Sequence, residues 1–181
     1  MYPRRHDHNI KEQKYNAIRE IVFEEIRNDF GVNAKGVTLR DCQFANNWEN
    51  LQGKGYRKDR GGWDWVELFK SYQNKPNRFE IALTSAGTLG ALAYGQTSRA
   101  GSKVRLDFIE STPVRPSPLG MRSLPVISAA ATLFADIVGA DEIWVIEPFA
   151  HLEETYQSVG FGPRTYYHQK VPGQMKKRRL L

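Results

Sequence analysis

The chain has 181 residues, 26 basic against 20 acidic, a formal net charge of +6 and a hydrophobic share of 40%. That length accommodates one domain with a sizeable core and would cramp two, and no apolar run is long enough to cross a bilayer. A lone Cys42 excludes an internal disulfide, and four scattered histidines give no metal-ligand spacing.

The amino end, MYPRRHDHN, is basic and polar with no apolar segment behind it, so a secretory signal is not expected and a cytoplasmic protein is. The expected organisation is a single domain over 1–181, with 1–8 and 172–181 as loose basic termini. Positive charge gathers at Arg4-Arg5, from Lys54 to Arg60 and from Lys176 to Arg179, which favours anionic partners, nucleic acid among them. Oligomeric state is not legible.

In chain order, residues 9–30 place Ile18, Ile21, Val22, Ile26 and Phe30 at helical spacing, with Gly31 behind them, and predict a packing helix. Residues 37–44 alternate weakly and are read as a short strand. Residues 45–62 are polar, glycine-rich and basic, which predicts a mobile loop. Asp64 and Glu67 then cap a helix carrying Trp65, Leu68, Phe69 and Tyr72 on one face. Trp63 and Trp65 are candidates to stack on an acceptor, with core packing the favoured role for both and above all for Trp65, which has the helical period.

Residues 79–84, 88–97 and 103–110 form an antiparallel meander with turns at Gly87 and at Ala100-Gly101-Ser102. Gly90 and Gly95 mark a bulge or a close-passing ligand in its middle strand. In the third strand Val104, Leu106 and Phe108 alternate with Arg105 and Asp107. A loop from Thr112 to Ser123 leads into an apolar helix from about Leu124, which Gly139 ends. Residues 142–147 are a short apolar strand, followed by a helical face of Leu152, Tyr156 and Val159 and by Gly160-Phe161 as its cap. Residues 164–170 make a last strand.

A strand, a crossover helix and a second strand imply a parallel pair. Ligands collect beyond the carboxyl ends of such strands, so the helix entry around Gly120, Met121, Arg122 and Ser123 should face an anion with unpaired N–H groups and a positive dipole. The fold class expected is α/β with a mixed sheet.

The run from about 78 to 162, ending in Tyr156-Gln157-Ser158-Val159-Gly160-Phe161, resembles the GNAT N-acetyltransferase superfamily. The resemblance implies an antiparallel meander followed by a parallel strand-helix-strand unit, with a cofactor cleft where the parallel strands splay. It also implies acetyl-CoA as co-substrate, its pyrophosphate cradled by Gly120, Met121, Arg122 and Ser123. The backbone near Ile109 and Ser111 would serve the pantetheine arm and the oxyanion. Tyr156, shortly before Gly-Phe, falls where the family keeps the proton donor for the leaving thiolate. The family's phosphate loop has Gln or Arg, two residues, Gly, one residue, then Gly or Ala. Here Gly120 stands alone, with Arg115 and Arg122 at other spacings.

Among acids able to take the amine proton, Glu110 at the strand end is the first choice, with Asp107, Glu147 and His151 as competitors. The function expected is transfer of an acetyl group from acetyl-CoA to a primary amine. The alternatives are an acyltransferase acting on aminoacyl-tRNA or a nucleobase, and a non-catalytic acyl-CoA or nucleic-acid binding module.

Overall fold

The computed structural model describes residues 3–48 and 62–178. The Lys54 to Arg60 segment and most of the predicted mobile loop therefore lie outside the described residues. Helix α1 (Pro3–Phe30) buries Ile18, Val22, Phe23 and Ile26, a stripe at i, i+4 and i+8 with Phe23 beside it, while Ile21 turns outward. The helix starts six residues earlier than its apolar period shows, so residues 3–8 are helical rather than loose. Strand β1 (Asn33–Lys35) follows.

Residues 39–46 form a helix, α2 (Leu39–Asn46), where the alternation of 37–44 predicts a strand. The reason is a capping box. Thr38 Oγ1 accepts from the Asp41 N–H, and the Asp41 carboxylate accepts from the Thr38 N–H. Two reciprocal bonds at the first turn outweigh a four-residue alternation, and Cys42, Ala45 and Trp48 are consequently packed inward. Helix α3 (Trp65–Tyr72) has Asp64 as its cap, accepting from the Glu67 N–H as the sequence predicts, and buries Trp65 and Tyr72.

The meander is β2 (Arg78–Ser85), β3 (Thr88–Thr97) and β4 (Lys103–Ser111). Helix α4 (Ser123–Val138), with Gly139 left-handed at its end, leads to β5 (Glu142–Ile146), which lies parallel to β4. A 3-10 turn (Ala150–Leu152) and helix α5 (Glu153–Gln157) come next, then β6 (Thr165–His168) and β7 (Val171–Lys177). Residues 172–177 are thus a paired strand, not a loose tail, with Gln174 fully buried opposite Val145. One mixed sheet orders the strands β1-β2-β3-β4-β5-β7-β6.

Helices α1 and α4 cover one face over Phe79, Ile81, Leu83, Val104, Leu106, Ile143 and Val145. Helices α2 and α3 cover the other over Ala82, Leu89, Leu92 and Tyr94. Two bulges reshape this sheet. Leu83 pairs Ala91 while Thr84 pairs Leu89, leaving Gly90 as an extra residue. Tyr94 pairs Phe108 while Gly95 pairs Leu106, leaving Asp107 unpaired. The second bulge flips the side-chain alternation of β4, so Phe108 lies on the α3 face although Val104 and Leu106 lie on the α4 face. Gly95 is obligatory there, since a Cβ would stand 1.8 Å from the Arg105 carbonyl oxygen. No helix among the described residues is long and apolar enough to cross a membrane.

Candidate active site

Strands β4 and β5 pair from Lys103 with Glu142 to Leu106 with Val145 and no further. Beyond Leu106, β4 runs on for five residues, still bonded to β3 through Ile109, Glu110 and Ser111, while β5 ends at Ile146. The parallel strands therefore part, and the β5-facing backbone of β4 borders a gap. A cavity of about 550 Å³ lies on one side of the gap, lined by Ile109 to Pro113, Arg115, Leu124, Leu152 and Tyr156. A second, of about 290 Å³, lies beside Trp63, Tyr72, Phe108, Glu147 and Phe149. Ile109, Leu152 and Tyr156 border both.

Tyr156 is held at this junction by the close of α5. The Val159 and Phe161 N–H groups both donate to its carbonyl, Gly160 is left-handed, and Phe161 meets the phenol ring edge to face. The buried Gln174 amide donates to the Glu153 carbonyl at 3.1 Å and to the Gly162 carbonyl at 2.9 Å, clamping both ends of the segment that carries Tyr156. Burial pushes the Tyr156 phenol up to about 12. It stays a protonated donor at neutral pH.

The first cavity meets the amino end of α4, where no side chain caps the helix and Pro125 has no N–H to offer. Leu124, in the first turn of that helix, lines the cavity. Leu119 secures the loop by packing on Gly90, where a Cβ would stand 2.4 Å from the Leu119 Cγ. The sequence-predicted cradle is only partly assembled. Gly120 makes a left-handed turn, Met121 is 95% exposed, and Ser123 is buried in the first turn. The Arg122 guanidinium is turned away, donating to the Phe30 carbonyl at 3.0 Å, which ties the loop to the end of α1. Arg115 lines the cavity instead. Its guanidinium donates to the Thr112 and Val114 carbonyls and makes no ion pair among the described residues.

Ile109 and Ser111 line the larger cavity, and Glu110 lies between them. The Glu110 side chain, however, points to the α3 face. It is 4% exposed, accepts from the Trp65 indole N–H at 2.6 Å and from the Gly62 N–H at 3.2 Å. Asp107 is equally committed, with one oxygen on Arg105 at 2.6 Å and the other accepting from the Tyr72 hydroxyl at 2.7 Å. His151 lines the first cavity. Glu147, following β5, is exposed into the second cavity with φ of 48°, a left-handed conformation costly for a residue other than glycine. Of the two tryptophans, Trp65 is core and Trp63 lines the second cavity.

No protein-family model matches the sequence, and no curated protein does. Solved structures match the fold. The PaiA N-acetyltransferase of Thermoplasma acidophilum, in complex with coenzyme A, aligns with a TM-score of 0.54 at 12% identity over 81% of this chain and 98% of that one. The ribosomal-protein-S18-alanine N-acetyltransferase of Escherichia coli aligns with 0.56 at 17% identity over 83% and 96%. The spermidine/spermine N-acetyltransferase SpeG of Vibrio cholerae aligns with 0.56 at 12% identity over 81% and 95%. The chain therefore has the GNAT N-acetyltransferase fold.

Proposed function

We propose that this protein is an N-acetyltransferase that moves an acetyl group from acetyl-CoA to a primary amine. The observation that carries the reading is the place of Tyr156, a buried protonated phenol bordering two cavities where the parallel strands part. The fold supports it, since PaiA is named as an N-acetyltransferase bound to coenzyme A and the two other neighbours are named for amine acceptors.

The residues of the larger cavity fit coenzyme A. The uncapped end of α4 and the free charge of Arg115 suit its phosphates, and the β4 backbone at Ile109 to Ser111 offers hydrogen bonds to its arm. Bound there, acetyl-CoA supplies an activated thioester. Glu147 takes the proton of the incoming ammonium, because Glu110 and Asp107 are committed to Trp65 and to Arg105 with Tyr72. Donors on the β4 edge stabilise the charge that grows on the carbonyl oxygen. As the C–N bond forms and the C–S bond breaks, Tyr156 gives its proton to the sulfur, and the proton that the nitrogen loses as it becomes an amide restores the phenol. A primary amine and a thioester thus become an amide and a free thiol.

The test is intact-mass analysis of an amine panel incubated with protein and acetyl-CoA, together with thiol release. Acetylated amine and an equal yield of thiol are expected. A folded protein that neither binds coenzyme A by calorimetry nor releases thiol with any amine would overturn the reading.

A further inference from the structure

We propose that the second cavity selects amphoteric acceptors: amines whose far end carries an anionic group, with an apolar or aromatic body between. The proposal rests on the acetyl-transfer reading above and names the substrate class of that site.

The cavity is bordered by four charged side chains, Lys75, Arg105, Asp107 and Glu147. Two of them neutralise each other, since Arg105 donates to Asp107 Oδ1 through both Nε at 2.9 Å and Nη2 at 2.6 Å. Two remain. Glu147 makes no side-chain hydrogen bond or ion pair among the described residues, and its backbone is left-handed just beyond the end of β5. Lys75 has no carboxylate partner among the described residues, and its Nζ rests 3.8 Å from the centre of the Tyr72 ring.

These two charges border one cavity and make no ion pair with each other. Lys75 follows α3 and lies over the Tyr72 ring, whose hydroxyl donates to Asp107 at 2.7 Å. Glu147 follows β5 beside Phe149, at the end shared with Ile109 and Tyr156. Tyr156 fixes the reacting end, so the ammonium belongs to Glu147 and the anion to Lys75.

The walls between are aromatic. Trp63 meets Phe108 edge to face at 5.0 Å and stacks on Phe149 at 6.2 Å. Such walls favour a flat or apolar body. The Trp63 indole N–H is buried without a partner among the described residues, and it suits a carbonyl or hydroxyl of the acceptor. A diamine would instead bring its second ammonium against Lys75.

The experiment measures kcat/KM of the full-length protein, at saturating acetyl-CoA, for para-aminomethylbenzoate, benzylamine and para-xylylenediamine. The acid should exceed benzylamine by roughly tenfold and the diamine should rank last. Lys75→Glu should invert that order, and Lys75→Met should bring the acid level with benzylamine. Stabilisation by coenzyme A reports that each variant is folded. A wild-type preference for the diamine, or an order unmoved by Lys75→Glu, overturns the charge assignment and leaves acetyl transfer standing. Transfer to none of the three overturns the selection, and the acetyl-transfer reading falls with it if coenzyme A also fails to stabilise the protein.

Discussion

Trp65 donates its indole N–H to Glu110 at 2.6 Å in the packed layer between the sheet and α3, and that bond divides the work among the strand-end carboxylates. A carboxylate holding a buried donor is a poor shuttle for a substrate proton. Glu110→Ala should therefore cost about 2–3 kcal/mol of stability, because it leaves the indole N–H unsatisfied, while rate per folded molecule changes little. Glu147→Gln should do the reverse, with a large fall in kcat and a small change in stability. Urea unfolding beside steady-state kinetics checks both, and a Glu110 variant that is stable but inactive would return the proton-accepting role to Glu110.

Tyr156→Phe keeps the ring against Phe161 and removes the proton. The loss in kcat should be roughly ten- to a thousandfold, with coenzyme A affinity and stability nearly kept. Gln174→Leu should lower kcat as well, because the clamp on Glu153 and Gly162 positions the phenol. A fully active Phe variant would make Tyr156 structural.

Burial also raises the phenols of Tyr72 and Tyr94, so three tyrosines keep their protons in the folded state well above the ordinary value of about 10. Below that value both states are protonated and these groups contribute no pH dependence. Above it the unfolded chain releases protons that the folded chain retains, so stability falls by up to about 1.4 kcal/mol per pH unit for each tyrosine. For Tyr156 the fall runs from about 10 to about 12. Denaturant midpoints across this alkaline window should drop steeply, and Tyr156→Phe should make the drop shallower. A flat profile would mean that the phenols ionise in the folded state.

The meander, the apolar helix and its glycine stop are legible in the sequence because each is a local pattern: alternation, a turn glycine, a left-handed cap. The second cavity is not legible, since Lys75, Phe108 and Glu147 come from three separate segments. Phe108 is misassigned by alternation alone, as the bulge at Asp107 moves it to the other face. Two further signals are local. The Thr38-x-x-Asp41 box marks α2, and the pairing of bulge and Gly95 marks the point where β4 leaves its register.

The two arginines of the 112–123 loop should separate cleanly. Arg115 lines the larger cavity, so Arg115→Glu should weaken coenzyme A binding by roughly tenfold or more through like-charge repulsion with the phosphates. Arg122 bonds to the Phe30 carbonyl, so Arg122→Ala should lower the melting temperature more than the affinity. Calorimetry and thermal melts distinguish them. An Arg122 effect confined to affinity would restore it to the phosphate site.

Basic residues near the carboxyl end raise the question of a nucleic-acid-linked acceptor, and the fold answers for part of them. Lys176 Nζ donates inward to Ser128 Oγ at 3.2 Å and to the Val159 carbonyl at 3.3 Å, while Arg178 stands 3.7 Å from both Asp136 and Asp141. Charges spent on the α4 and α5 contacts are poorly placed to neutralise phosphates. Lys176→Ala should therefore destabilise the protein and slacken the Tyr156 segment, without changing the slope of tRNA or duplex DNA binding against salt. That slope counts the phosphates a protein neutralises, at nearly one per contact. Filter binding at low and physiological salt measures it. A slope that falls by about one unit in the Lys176 variant, with stability intact, would show that the strand releases this lysine to a nucleic acid.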